Sequence, residues 1–109
     1  MDYPPLKPTH YLILVSLAEA DLHGYALKKA ITRRTDGRVT VGAGSLYRSI
    51  GQLVEYGYIE ESDARPAEGL DDERRTYFRL TRAGRKAAAA ETDRLAQLVA
   101  GARASGLTG

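Results

Sequence analysis

Cysteine is absent from the 109 residues. That excludes disulfides and thiolate metal sites, and it fits a reducing cytoplasm. No apolar run approaches the roughly 18 residues that a membrane helix needs. Met1-Asp2-Tyr3-Pro4-Pro5 lacks the basic-then-apolar pattern of a secretory signal. The two histidines, His10 and His23, stand apart, and no His/carboxylate cluster has ligand spacing, so neither a metal nor a cofactor is expected. Gly42-Ala43-Gly44 is not a dinucleotide loop, because the third glycine position is Tyr47 and no Walker lysine follows. The serines, histidines and scattered carboxylates form no nucleophile–base–acid set, so an enzyme is not expected.

What is present describes one small domain. A chain of this length buries only about 60–65% of its unfolded surface, so burial against a second subunit would help it. Hydrophobic content of 43% and charged content of 28% are ordinary for a globular protein. Net charge is only +2, but it is unevenly spread: +2 over residues 1–59, −6 over 60–73 and +6 over 74–109. The pI near 9.0 is compatible with nucleic acid and equally with a solvated surface.

Three prolines make residues 1–8 an extended arm, and Thr9 is placed to cap a first helix. The run Tyr11 to Ala18 is apolar on nearly every side, so this helix is expected to be buried on several faces, with Leu12 available to a partner. Asp21-Leu22-His23-Gly24 reads as a turn, with His23 as a turn or capping residue. A second helix over about Tyr25–Thr35 presents Leu27, Ala30 and Ile31 on one face and stops at Asp36-Gly37. Arg38-Val39-Thr40-Val41 favours β structure. A third helix is predicted over Ser45–Tyr56, with Ser45 as N-cap or first-turn residue, an apolar stripe of Leu46, Ile50, Leu53 and Val54, and Gly57 as its stop. Tyr58–Ser62 and Arg75–Leu80 read as strands of a hairpin around an acidic loop. Thr81 caps a last helix that carries Ala88, Thr92, Leu95, Leu98, Val99 and Ala102.

The predicted fold is therefore mainly α with a small β-hairpin: an arm over residues 1–8, a winged helix-turn-helix over 9–80, a C-terminal helix over 81–105 and a tail over 106–109. A terminal helix has little left to cover in so small a domain. Leu95, Leu98, Val99 and Ala102 are thus expected, with Leu12, to form a homodimer interface.

Three blocks give this order a more specific meaning. They are His23-Gly24-Tyr25; Gly44-Ser45-Leu46-Tyr47 through Leu53 and on to Gly57-Tyr58-Ile59-Glu60; and Arg75-Thr76-Tyr77-Phe78-Arg79-Leu80-Thr81-Arg82-Ala83-Gly84-Arg85. In register over residues 9–90, they resemble the PadR family of transcriptional regulators. The resemblance implies a cytoplasmic, dimeric winged helix-turn-helix protein that represses a nearby promoter. It also suggests a small-molecule effector bound near the dimer interface, by Tyr3, Tyr11 or the C-terminal helix. The chain departs from the family at Arg48, where proline is common, and at Gly51 and Gln52, where basic residues are frequent.

The residues suit double-stranded DNA. A helix fits the major groove, where base edges are distinguishable, and Arg48 and Gln52 lie four apart with the chemistry for guanine and adenine. Gly42 to Ser45 open a helix start that attracts anions. Ser45, Tyr47, Ser49 and Lys28 are candidate contacts beside them, and Arg74 and Arg75 could reach backbone or minor groove from the hairpin base. Glu68, Asp71, Asp72 and Glu73 would be repelled by phosphates, so the loop tip is expected to point away from the DNA backbone or to be mobile. The competing reading is a winged-helix protein–protein interaction module without specific DNA binding, favoured by that acidic loop and the sparse charge on the third helix.

Overall fold

A computed structural model describes residues 3–63 and 75–108. The chain runs in as an extended arm and turns helical at α1 (Pro8–Glu19). Thr9 does not cap this helix. Lys7 is the capping residue, in extended backbone, and Pro8 takes the first helical position, where its fixed φ is pre-set and its missing N–H is no loss. α1 buries His10, Ile13, Leu14, Ser16 and Leu17. It packs against α2 (Gly24–Arg34), α3 (Ala43–Glu55), β3 (Tyr77–Leu80) and α4 (Arg82–Ala104), which is why its sequence is apolar almost all round. Buried Ser16 is satisfied by donating to the Leu12 carbonyl at 2.8 Å.

The core between these helices contains Ile13, Leu14, Leu17, Leu27, Ile31, Leu46, Ile50, Leu53, Ile59 and Phe78. Burying each large side chain contributes about 1.5–3 kcal/mol. The helical periodicities read from the sequence are the buried stripes, except that Val54 is exposed.

Two strand assignments are corrected. Leu22–His23 is not a turn but a short strand, β1, and β2 spans Ile59–Ser62. The sheet is antiparallel in the order β1-β3-β2, with Leu22 opposite Phe78 and Glu61 on its other side, so β3 is central rather than half of a two-stranded hairpin. The third strand pairs backbone groups of β3 that a bare hairpin leaves open. Conversely, Val39–Val41 forms no strand. The Thr35 hydroxyl accepts from the Val39 N–H at 3.0 Å and donates to the Ile31 carbonyl at 2.9 Å, which folds the segment against the end of α2. Val39 and Val41 then serve the core as apolar pins.

Helix ends follow local chemistry. α3 starts at Ala43, two residues before Ser45, so Gly42 is the cap and Ser45 a first-turn residue. It ends with Gly57 at φ +78, donating to Val54, while the Tyr58 N–H returns to the Leu53 carbonyl at 3.0 Å. Thr81 caps α4 by accepting from the Gly84 N–H at 3.0 Å, and its hydroxyl donates to the Gly57 carbonyl at 2.6 Å.

α4 divides along its length. Gly84, Ala87, Ala88 and Glu91 are buried against the domain, whereas Leu98 and Val99 are 57% and 51% exposed. Leu95 and Ala102 are half-buried, and Leu12 on α1 packs partly against the core. The architecture is a winged helix-turn-helix with a long terminal helix whose outer half projects from it.

Candidate nucleic-acid interface

The start of α2, the start of α3 and the base of the wing converge on one surface. His23 fastens them. Its Nδ1 caps α2 by accepting from the Ala26 N–H at 3.2 Å, and its Nε2 lies 3.1 Å from an Arg75 guanidinium nitrogen. A neutral imidazole accepts at only one nitrogen, so the two contacts compete for the ring's single acceptor. The capping role expected of His23 is what it performs.

Gly24 is buried beneath the Tyr47 ring, and a Cβ there would collide with the Tyr47 hydroxyl. This contact explains both glycine and tyrosine in the first two sequence blocks. Tyr47 itself is 56% exposed. Beside it, Tyr25 stacks parallel to His23, with Lys29 Nζ 4.8 Å above the Tyr25 ring centroid. A cleft of about 460 Å³ is bounded by His23, Gly24, Tyr25, Tyr47, Glu61 and Arg75. A notch adjoining it is lined by Tyr25, Lys28, Ala43 and Tyr47.

The helix pattern supplies further donors. The first α3 bond runs from the Leu46 N–H to the Gly42 carbonyl, so the N–H groups of Ala43, Gly44 and Ser45 have no acceptor within the helix, and no side chain caps it. Tyr47 lines the cleft with Arg75 and the notch with Lys28, beside these open N–H groups, a setting that favours anions, and Ser45 is exposed in the same first turn of α3. Arg74 and the acidic tip residues Glu68, Asp71, Asp72 and Glu73 lie outside the described residues. Arg48 projects from α3 into solvent, and Ser49 is half-buried at the helix edge.

Gln52 does not stand with Arg48 as an independent group. Its Oε1 accepts from Nε2 of His10, only 3% exposed, at 2.9 Å. His10 meets Tyr56 edge-on, and Tyr56, Tyr58 and Tyr3 continue the aromatic cluster. His10, Tyr56 and Tyr58, together with Pro4, Pro5 and Leu6, line a hollow of about 280 Å³ behind the end of α3. Tyr11, by contrast, faces a groove between α1 and α4 and hydrogen-bonds Thr92 at 2.8 Å, so Tyr3 and Tyr11 belong to separate places. The sequence reading missed the His10–Gln52 bond and the part played by Tyr25, whereas Lys29, which the sequence offers with Lys28 as a phosphate contact, lies over the Tyr25 ring. A polar ring at the start of an otherwise apolar helix was the only available signal for the first.

The arm is tied down by Glu91. Its carboxylate, 4% exposed, accepts from Arg94 at 3.0 and 2.5 Å. Arg94, followed by a hydrogen bond from the Leu6 backbone, holds the Glu91 pKa below the ordinary carboxylate range against the opposing effect of burial. The described residues contain no group of three or more potential metal ligands, and no helix among them is long and apolar enough to cross a membrane.

Known proteins bear on this surface. No sequence among the curated proteins matches the chain. Among solved structures, a transcriptional regulator from Clostridium thermocellum is 28% identical, with a TM-score of 0.69 over 85% of this chain and 86% of that one. A PadR family transcription regulator from Clostridium difficile shares the fold at 18% identity, with a TM-score of 0.74 over 89% of this chain and 96% of that one. Bacillus subtilis PadR, solved in complex with operator DNA, shares it at 18% identity and TM-score 0.60, over 75% of this chain and 46% of that one. The family model described as "Transcriptional regulator PadR-like family" matches residues 13–90. That span runs from the core of α1 through the wing to the buried half of α4, and the chain belongs to the PadR-like family of transcriptional regulators.

Proposed function

We propose that this protein is a sequence-specific DNA-binding repressor that acts as a homodimer on a pseudopalindromic operator. The observation that carries this reading is the convergence of Lys28, Tyr47, Arg75 and the open α3 N-terminus on one surface, beside an α3 face bearing Arg48. Phosphate contacts from such groups set register and orientation, and side chains on α3 then reach base edges. Ser45, Ser49 and Gln52 flank that face, and Arg74 adds a cation next to Arg75 in sequence.

The exposed half of α4 supports the dimer. Leu98 and Val99 lie on a helix that continues beyond the domain, with Leu95 and Ala102 beside them and Leu12 on neighbouring α1. A second copy would bury that surface and set two α3 helices about 34 Å apart, in successive major grooves. A small molecule binding near α1 and α4 would release DNA if it favoured a different dimer geometry.

The test is fluorescence anisotropy with a duplex from upstream of the protein's own gene against a scrambled duplex, at two salt concentrations. Tight binding to the first duplex alone, falling steeply with salt, is expected. Absence of binding to either at low salt would replace this reading with a protein-interaction module, the reading that the acidic segment before β3 favours.

A further inference from the structure

Gly51 is a glycine without an internal reason. It sits in the middle of α3, where glycine costs about 1 kcal/mol relative to alanine. Its backbone is not in the left-handed region, and a Cβ added there would meet nothing within 4 Å. Gly44 likewise has open space around it. Gly44, Arg48, Gly51 and Glu55 recur at i, i+4, i+7 and i+11, forming one exposed line opposite buried Leu46, Ile50 and Leu53. On that line Arg48 is bracketed by two residues with no side chain. Among the described residues it makes no hydrogen bond or ion pair. Gln52, one turn on from Arg48, has its carbonyl oxygen engaged by His10.

We infer that Arg48 is the specificity-determining residue of α3 and reads a single guanine in each half-site, with Gly51 kept bare so that the helix can seat close enough for it to do so. This rests on the operator-binding reading and goes beyond it by naming the base and the residue that permits its approach. A guanidinium forms two parallel hydrogen bonds to guanine N7 and O6, the commonest specific contact in the major groove. An arginine flanked by bulkier neighbours would be held off the groove floor. One flanked by Gly44 and Gly51 extends from a backbone that can itself approach the bases. Glu55, last on the line, is at the C-terminal end of α3, away from the N-terminal turns that contact base edges in this docking mode.

The experiment is selection from a randomised duplex library with the full-length protein and its Arg48→Ala and Gly51→Ala variants. It is followed by titration of the enriched duplex with 7-deazaguanine, which lacks the N7 acceptor, at the preferred guanine. The wild type is expected to enrich a motif with one dominant guanine per half-site. Arg48→Ala should lose preference at that position alone, by about 5- to 150-fold in base discrimination. The 7-deazaguanine duplex should weaken the wild type and leave Arg48→Ala unaffected. Gly51→Ala should melt at a higher temperature yet bind the same motif several-fold more weakly, which separates blocked approach from misfolding. An unchanged base preference in Arg48→Ala, or undiminished affinity in Gly51→Ala, overturns the inference while leaving operator binding intact. A wild type that enriches no motif overturns both.

Discussion

His10 on α1 and Gln52 on α3, 42 residues apart in sequence, are hydrogen-bonded at 2.9 Å, linking the base of the N-terminal arm to α3. Because His10 is almost wholly buried, the bond satisfies a polar ring in the core and fixes a side chain at the edge of α3. Gln52→Ala leaves that ring nitrogen without its partner and is expected to destabilise the fold by about 1–3 kcal/mol. Urea unfolding of Gln52→Ala against Gln52→Glu, which keeps an acceptor oxygen, measures it. Equal stability of wild type and Gln52→Ala would show that the bond contributes nothing.

Gly24 and Gly84 predict costs of different size for the same change. At Gly24 a methyl meets the end of the Tyr47 ring, which is half-exposed and can swing aside. Gly24→Ala should therefore cost under about 1 kcal/mol of stability while displacing Tyr47 from the interface and weakening DNA binding. At Gly84 the methyl meets the Tyr58 carbonyl, the same oxygen that accepts from the Thr81 N–H, and backbone cannot yield. Gly84→Ala should cost about 2 kcal/mol or more. Thermal melts of the two variants, compared side by side, decide the ranking.

Glu91 makes stability depend on pH in a definite direction. Its pKa is lowered in the folded protein, chiefly by the Arg94 hydrogen bond. The folded state then binds the proton less readily than the unfolded chain, so the contribution is present above the ordinary carboxylate range and is lost as pH falls through the lowered value. The stability gap between wild type and Glu91→Gln should be largest near neutrality and shrink in acid. A gap that widens in acid would contradict the sign.

The outer half of α4 predicts an assembly phenotype separable from folding. Leu98→Glu with Val99→Glu places charges on side chains already exposed in one chain, so the subunit's own fold should change by no more than about 0.5 kcal/mol per site. Sedimentation should shift from dimer to monomer, with loss of operator affinity because two half-sites are no longer read together. A dimer that survives both charges would place the interface elsewhere.

The elements legible in advance were those whose signal is local. The stripes Leu27–Ala30–Ile31 and Leu46–Ile50–Leu53 repeat at helical spacing, and the Thr81 cap and the Gly57 stop declare themselves within a few residues. β1 was missed because two residues carry no period, and Leu22–His23 becomes a strand only when β3 arrives from more than fifty residues away. Arg38–Val41 was misread because β-branched residues suit a strand, while the Thr35 hydroxyl and the core claimed them first. In the site, Tyr47 and Arg48 were visible as residue types on an exposed face. The collision that makes Gly24 necessary and the bond that occupies Gln52 were not.

The sequence by itself determined which segments are helical, which faces they bury and that no thiolate chemistry operates here, because propensity, periodicity and composition act within a few residues. Only the tertiary structure decided which polar groups remain free to act. Arg48 and Gln52 are neighbours on one helix with similar promise for DNA, yet packing α1 against α3 brings His10 to one of them and leaves the other in solvent. A hydrogen-bonding group's availability depends on every surface that closes around it, and those surfaces come from distant parts of the chain.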